Sequence, residues 1–228
     1  MGLSRTFRAA FTASLPVLTG YLFLGAGYGV LMHKLGYGPV WTALVSIIVF
    51  GGTIQYIATG LFAAGFQPLY AFVVSVVVNA RHLFYGFSML EKYRGTGWKK
   101  FFLIFWLTDE TFSLVCSDDI PESIDHAWYR WFISGLNYCY WIVGGVAGNA
   151  AVSVFQFNAK GIEFVMTSLF TVIVVNQWRA TENHYPAAVG VAASVVCLLI
   201  FGAEYFIIPS MILITIALLL ARPKEENA

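Results

Sequence analysis

The chain of 228 residues is 59% hydrophobic and only 11% charged, with a formal net charge of +1 at pH 7. A water-soluble domain of this length presents more polar surface, so the composition indicates a protein whose solvent is lipid. The near-neutral charge and the lack of a basic stripe argue against a nucleic-acid partner, because clustered Lys and Arg would be needed to replace phosphate counterions.

Long apolar segments follow one another along the chain and leave almost nothing for a soluble domain. A spanning helix needs about 20 mostly apolar residues, and eight segments qualify: 11–32, 38–65, 69–90, 99–117, 127–154, 161–179, 185–203 and 204–221. Arg5 and Arg8 before the first segment imitate a signal peptide, but more apolar segments follow at once, so we expect the first to be retained. The predicted fold class is an all-α polytopic bundle of membrane helices, in which residues 1–228 form a single transmembrane domain.

The loops differ sharply in charge, and this difference predicts an orientation. Loop 91–100 carries four basic residues against the single Glu91, whereas 118–126 carries four acidic residues and no Lys or Arg. The positive-inside rule therefore predicts that 91–100 is cytoplasmic and 118–126 external. Basic residues near both chain ends predict that both termini are cytoplasmic as well. Eight full crossings cannot satisfy these assignments, so we expect six crossings and two broken or re-entrant segments, one in each half.

A weak internal similarity supports a division into halves 8–117 and 127–221. The glycine pattern Gly25–Gly29 recurs as Gly144–Gly148, and Gln177 repeats the position of Gln55 at a nearly constant offset. Three crossings in each half would point the halves in opposite directions, which predicts two inverted repeats around a central site with broken helices. The alternative is a chance match, because glycines are common in membrane helices.

Adjacent glycines, Gly51 and Gly52, interrupt the second segment just before Gln55. Each lowers helix propensity by about 1 kcal/mol, and an unwound turn would free backbone groups to bind a carboxylate and an ammonium. We therefore predict substrate contacts at all three residues. The alternative is that the glycines only allow close helix packing and that Gln55 makes an interhelical hydrogen bond.

The third segment holds a second polar group near its end. Asn79, His82 and Tyr85 are spaced by about one helical turn and share a face, with Arg81 beside them. The pattern predicts substrate contacts for Asn79 and Tyr85 and an ion-pair or proton-coupling role for Arg81 and His82. An Arg at this depth needs a counter-charge or water unless its side chain snorkels to the cytoplasmic headgroups, which is the alternative interpretation.

Two adjacent carboxylates, Asp109 and Glu110, lie halfway along segment 99–117. Neighbouring residues on a helix point in different directions, so we expect one carboxylate to face the transport path and the other to pair with Arg81. Burial raises the pKa of a carboxyl group and a nearby cation lowers it, which makes such a residue a plausible proton carrier. A purely structural salt bridge is the alternative.

The sixth segment has Glu163 at its head and Gln177 near its tail. We predict a proton-coupling role for Glu163 and a substrate contact for Gln177, although Glu163 could also be an interfacial residue favoured by a helix N-terminus. Glu204, after Gly202, is interpreted as a hairpin turn at the surface.

Four motifs in this order resemble the AzlC family over nearly the whole chain, from about Phe7 to about Leu220. They are Gly51-Gly-Thr-Ile-Gln55, Asn79-x-Arg81-His82-x-x-Tyr85, Thr108-Asp109-Glu110-x-Phe112 and Gly161-Ile-Glu163-Phe164. The resemblance implies the large subunit of a two-component exporter of branched-chain or other neutral aliphatic amino acids in the cytoplasmic membrane. It also implies a small AzlD-type partner with about four helices. Two positions depart from the family pattern: Glu163 stands where Asp is more usual, and Asn176 stands where an acidic residue often precedes the Gln.

No nucleotide-binding P-loop pattern is present, so an ion gradient, with the proton as the expected ion, is the simplest energy source. We expect no cofactor and no metal, because the cysteines are isolated and no His-Glu-x-x-His pattern occurs. A hydrolase built on His82 with Asp109 or Glu110 is disfavoured, since no Ser or Cys is paired with a base. A passive channel or a scaffold subunit remains the alternative function.

Overall fold

The computed structural model describes residues 2–65, 67–116, 120, 124–155, 171, 174–175, 178–179 and 182–220, without the side chains at 81, 84, 155, 203–205, 207–208, 211 and 219. The described residues form helices and no strand, which confirms the all-α fold class. The chain divides into two compact units, Met1–Met166 and Thr167–Ala228.

In the described part of the first unit, two long helices enclose six short ones along the chain. Its helices are α1 (Leu3–Lys34), α2 (Pro39–Val49), α3 (Gly52–Ala64), α4 (Pro68–Val78), α5 (Arg81–Met89), α6 (Lys99–Phe105), α7 (Asp109–Val115) and α8 (His126–Phe155). The second unit contains α9 (Tyr185–Tyr205) and α10 (Ile207–Leu220), and α9 is kinked at Gly202, where φ is +73°. Of the described helices, α1 and the Tyr185–Gly202 part of α9 combine the length and apolarity that a membrane crossing needs.

The two longest helices, α1 and α8, form the centre of the first unit and run in the same direction. Their contacts advance in step from beginning to end: Phe7 with Phe132, Ser14 with Tyr140, and His33 with Ser153. We call the end at which both helices begin the lower end of the unit and the end at which both finish the upper end.

The glycine motifs that suggested a repeat pack directly against each other. A Cβ atom built at Gly29 would lie 2.7 Å from the Asn149 backbone nitrogen and would overlap the Gly145 carbonyl oxygen. A Cβ atom at Gly148 would similarly lie 2.7 Å from the Ala26 carbonyl carbon. The absence of side chains thus lets the two backbones touch, as small residues do in membrane helix pairs. Because α1 and α8 are parallel, this glycine pair gives no support to an inverted relation between the halves 8–117 and 127–221, which stays a prediction.

Helices α2 and α3 form a hairpin that enters the bundle from the upper end and returns to it. Descending α2 places Thr42 beside Asn149, with an Nδ2 to Oγ1 distance of 2.8 Å, and ends at Phe50 beside Tyr138. Ascending α3 then brings Phe62 back to Tyr37, just beyond the upper end of α1, with ring centroids 5.5 Å apart. Segment 38–65 is therefore re-entrant, which agrees with the expectation that one of the first three segments fails to cross.

Helices α6 and α7 form a second hairpin that enters from the lower end. Trp98, just before α6, lies against Trp131 near the start of α8, and Trp106 at the tip reaches Tyr138. The chain then returns until the Cys116 carbonyl accepts a hydrogen bond from Lys92 Nζ. Each of these helices has seven residues, about 10 Å at 1.5 Å per residue, which is too short to cross about 30 Å of hydrocarbon.

This second hairpin corrects the orientation predicted for 118–126. Lys92 donates to the Cys116 carbonyl, and Arg130 Nη1 donates to the Lys92 carbonyl at 3.0 Å. Both ends of the connection between α7 and α8 therefore lie at the lower end, beside loop 91–100. The charge argument failed because it counted segment 99–117 as a crossing.

Cysteine labelling provides a test of this topology. Arg94 and His126 are both exposed, so in a background without native cysteines Arg94→Cys and His126→Cys should show the same accessibility to an impermeant maleimide in intact cells. Gly38→Cys, at the upper end with no atom within 4 Å of its Cβ position, should show the opposite accessibility. Opposite labelling of positions 94 and 126 would contradict the re-entrant hairpin.

Candidate functional site

The tips of the two hairpins meet near the middle of α8, around Tyr138. Phe50 packs edge-on against Tyr138 with ring centroids 4.8 Å apart, and Trp106 lies 5.2 Å from the same ring. Phe50 has φ of +34°, the only positive value among the described non-glycine residues. A bulky residue in this conformation is strained, and such strain is common where the backbone is held open for function.

The break between α2 and α3 is the unwound turn predicted from Gly51 and Gly52. Gln55 is fully buried behind it and braces three elements. Its Oε1 accepts from Trp141 Nε1 at 2.7 Å and from the Gly51 backbone N–H at 3.3 Å, while its Nε2 donates to Ser46 Oγ at 3.1 Å. Gly52 faces the Trp141 ring, which would lie 3.1 Å from an added Cβ. The structure thus has both features: the chain is unwound between α2 and α3, and Gly52 packs closely against Trp141. Gln55 stabilises the unwound turn through its hydrogen bonds to Gly51, Ser46 and Trp141.

A cavity of about 640 Å³ lies on the other side of this turn. It is bounded by the Phe50 tip, by α4 and α5, and by α6, and it extends from the hairpin tips to Tyr93 and Lys100 at the lower end. Its lining is Val49, Phe50, Gly51, Ile54, Ser75, Asn79, His82, Leu83, Gly86, Phe87, Met89, Leu90, Tyr93, Lys100, Ile104, Phe105 and Leu107. A mostly apolar wall with a few polar groups is typical of small-molecule sites, and the volume is within their usual range of about 300–1,000 Å³.

Asn79 and His82 of the second predicted group line this cavity at the break between α4 and α5. The Asn79 side-chain amide donates to the Ser75 carbonyl at 2.9 Å, which leaves its oxygen without a partner among the described residues. His82 Nδ1 lies 3.2 Å from the Asn79 carbonyl. Tyr85 is not part of the lining; it contacts the His82 ring and stacks on Phe112, with centroids 4.7 Å apart.

Asp109 and Glu110 lie at the tip of the second hairpin rather than halfway along a helix. Thr108 caps α7 by accepting the Thr111 backbone N–H, and both carboxylates occupy the first turn, where the helix dipole favours negative charge. Neither residue lines the cavity. Glu110 is exposed on the surface of the unit and accepts a hydrogen bond from the Tyr21 hydroxyl at 2.7 Å.

A buried polar network lies behind Glu110. The Tyr21 hydroxyl is also 2.8 Å from Thr108 Oγ1, which donates to Thr111 Oγ1 at 3.1 Å. Asn137 Nδ2 donates to the same Thr111 hydroxyl, while Asn137 Oδ1 is buried with no partner in the described part of the chain. Hydroxyl groups that are hydrogen-bonded in series can pass a proton by reorienting. The network is therefore suited both to fix the position of Glu110 and to transfer protons to or from it.

Some predicted site residues lie outside the described set. They are the Arg81 side chain, Glu163 and Gln177, together with Asn176 and the Glu204 side chain. The predicted pairing of Arg81 with Asp109 or Glu110 therefore remains a prediction.

Sequence reasoning missed Tyr21, Trp141, Tyr93 and Lys100, which surround the turn, the carboxylates or the cavity. Tyr21 and Trp141 lie in long apolar stretches, where aromatic residues are ordinary. The Tyr hydroxyl and the Trp ring N–H were the available signal: a buried Tyr or Trp usually has a hydrogen-bond partner, so each of these residues indicates a polar group nearby.

Residues 16–155 match the family model described as AzlC protein. The chain belongs to the AzlC family. The matched range includes both re-entrant hairpins, the cavity lining and α8, so the AzlC match covers the region with the candidate site. No solved structure matches the chain significantly.

The AzlC relatives match over nearly full length. The chain is 42% identical to the branched-chain amino acid transport protein AzlC of Bacillus subtilis (strain 168), over 97% of this chain and 87% of that protein. It is 39% identical to an uncharacterized membrane protein of Haemophilus influenzae (99% and 93% covered) and 23% identical to inner membrane protein YgaZ of Escherichia coli K12 (92% and 86% covered).

Proposed function

We propose that this chain exports branched-chain and other neutral aliphatic amino acids across the cytoplasmic membrane, driven by protons and together with a small AzlD-type subunit. The observation that carries the substrate class is the 42% identity to a protein named for branched-chain amino acid transport. The largely apolar cavity supports the same class, because a branched aliphatic side chain gains free energy from leaving water.

The position of the cavity supports the direction of transport. The lower end carries Arg5, Arg8, Arg130 and the basic residues of loop 91–100. Among the described residues of the first unit, the upper end carries a single basic residue of this kind, Lys34. The positive-inside rule assigns the lower end to the cytoplasm. The cavity lining reaches this end at Tyr93 and Lys100, so substrate would enter from the cytoplasm, as export requires.

Glu110 is the residue best placed to carry the coupled proton. It is exposed at the depth of the hairpin tips and is hydrogen-bonded by Tyr21. A carboxylate at membrane depth costs several kcal/mol unless it is solvated, paired or protonated. Proton coupling needs a side chain that can bind and release a proton, and the Glu110 carboxylate beside the Tyr21 hydroxyl is such a group.

An efflux measurement tests the function. Cells with and without this chain, each with and without a co-expressed AzlD-type subunit, are loaded with radiolabelled leucine, valine or methionine. Efflux should be faster when the chain is present and should continue against an opposing concentration gradient. Equilibration without movement against a gradient would instead indicate a passive channel, and no movement of any neutral amino acid would contradict the substrate class.

A cavity-filling variant connects that flux to the site. Gly86 lines the cavity, and nothing lies within 4 Å of its Cβ position. The Cβ atom of Gly86→Leu therefore has room, and the larger side chain should reduce efflux to background. The matched control is Gly60→Leu on α3, because Gly60 also has open space around its Cβ position but lies outside the lining. Equal efflux from both variants would place the transport path elsewhere.

A further inference from the structure

The cavity is larger than a branched-chain amino acid requires. Its volume is about 640 Å³, which corresponds to about 20 water-sized groups at about 30 Å³ each. Leucine has fewer than half as many non-hydrogen atoms, so it would leave much of this space unfilled. A small-molecule site usually buries most of its ligand and is filled by it. The volume therefore indicates room for a larger apolar side chain.

Most polar side chains of the lining lie together at the break between α4 and α5. Ser75, Asn79 and His82 line the cavity there, whereas Tyr93 and Lys100 belong to its lower end. The Asn79 amide oxygen has no partner among the described residues. An amino acid with its polar groups at this break would direct its side chain along the apolar remainder of the cavity.

Gly86 lies one helical turn beyond His82, on the same face of α5. Four residues along a helix correspond to about 6 Å, and both residues line the cavity. Nothing lies within 4 Å of the Cβ position of Gly86. A ligand side chain that extends from His82 along α5 therefore reaches Gly86, where any other amino acid would occupy part of the space.

Three phenyl rings line the apolar part of the cavity. Phe50 belongs to the first hairpin tip, Phe87 to α5 and Phe105 to α6. The Phe50 and Phe105 ring centroids are 6.5 Å apart, and both Phe87 and Phe105 are exposed. Aromatic rings pack favourably on one another in offset and edge-on arrangements. The described lining contains no carboxylate to pair with a basic side chain, so it favours a large, neutral, aromatic one.

From the volume, the open space at Gly86 and these rings we propose that the cavity also transports aromatic amino acids such as phenylalanine and tryptophan. Gly86 sets the upper limit on the size of the side chain. A hydrophobic pocket distinguishes only weakly between apolar side chains that both fit, so a size limit is its main means of selection. The proposal rests on the proposed function, because it assigns the same cavity to the same kind of transport.

Transport of two labelled amino acids in the same vesicles tests this proposal. Proteoliposomes with the full chain and an AzlD-type subunit are loaded with unlabelled leucine and take up phenylalanine and valine, which carry different radiolabels. The wild type should exchange both. Gly86→Ala should lower the ratio of phenylalanine to valine uptake, and Gly86→Val should lower it about tenfold, because the added methyl groups occupy space that the ring needs.

The ratio separates selectivity from protein yield, since a poorly folded variant transports less of both amino acids. Gly60→Val is the matched control: Gly60 also has open space at its Cβ position but lies outside the lining, so the ratio should not change. Gly86→Ala provides a second measurement if Gly86→Val yields no protein, because Ala is favoured over Gly in a helix.

The outcomes also distinguish this proposal from the proposed function. Valine uptake without uptake of phenylalanine or tryptophan would overturn the proposal and leave the proposed function intact. An unchanged ratio in the Gly86 variants would overturn it as well. Aromatic uptake without uptake of valine, with the ratio lowered in these variants relative to Gly60→Val, would support the proposal and contradict the branched-chain substrate class. Uptake of neither would contradict both.

Discussion

Replacing Gly29 by Ala should prevent α1 and α8 from packing and so abolish the folded protein. The added methyl group would overlap the Gly145 carbonyl oxygen and lie 2.7 Å from the Asn149 nitrogen. Both atoms belong to the backbone, so no side chain can move aside and the helices must separate. Overpacking costs about 1–3 kcal/mol even where neighbours can adjust, and here they cannot. Gly148→Ala, which meets the Ala26 backbone in the same way, should have the same effect.

The matched control is Gly20→Ala in the same helix, where nothing lies within 4 Å of the Cβ position. In an α-helix, Ala is favoured over Gly by about 1 kcal/mol, so this variant should fold at least as well as the wild type. Gel filtration in detergent gives the monodisperse yield, and thermal unfolding gives the stability. Equal yields and unfolding temperatures for Gly29→Ala and Gly20→Ala would show that the close contact of α1 and α8 is not required.

Replacing Glu110 by Gln should abolish proton-driven transport while substrate exchange at equal pH on both sides continues. The amide keeps the shape of the side chain and can accept the Tyr21 hydrogen bond, but it cannot bind and release a proton. Proteoliposomes with an imposed pH gradient measure accumulation, and the same vesicles without a gradient measure exchange. Glu91→Gln is the matched control, because Glu91 is a carboxylate in the loop, paired at 3.4 Å with Arg94.

Tyr21→Phe should slow coupled transport without abolishing it, since it removes the hydrogen bond to Glu110 and the link to Thr108. Full accumulation by both Glu110→Gln and Asp109→Asn would exclude the two carboxylates as carriers. His82, which lines the cavity, would then be the next candidate, together with Glu163.

The sequence predicted breaks only where it contained residues that break helices. Gly51 and Gly52 revealed the first hairpin tip, but the second tip, Trp106-Leu-Thr108, contains neither Gly nor Pro. Its signal was Thr108 followed by two acidic residues, the pattern of a helix beginning, inside what was interpreted as one continuous segment. Because that break was not recognised, segment 99–117 was interpreted as a full crossing, and 118–126 was predicted on the side of the membrane opposite to loop 91–100.

The glycine repeat illustrates a different limit. The sequence identified the related motifs, but a pattern of small residues carries no direction, and only the contacts between α1 and α8 show that the two helices are parallel. The site residues divided in the same way: Gly51, Asn79 and His82 reach the cavity, whereas Gln55 forms hydrogen bonds with Trp141 and Ser46. Its partner Trp141 is 86 residues away in sequence, beyond the reach of local patterns.

The α2–α3 hairpin also has a consequence for how the protein is made. Its polar partners lie on α8: Asn149 donates to Thr42, Tyr138 donates to the Ile47 carbonyl, and Trp141 donates to Gln55. The bonded residues are 107, 91 and 86 positions apart in sequence, respectively. At about 5–20 residues per second, the ribosome needs several seconds to supply these partners after the hairpin is complete. Until then the broken turn has unsatisfied polar groups, so the hairpin must wait in a water-filled or protein-lined site of the insertion machinery rather than in bare lipid. Its assembly is therefore a late step, completed only when α8 enters the membrane beside α1.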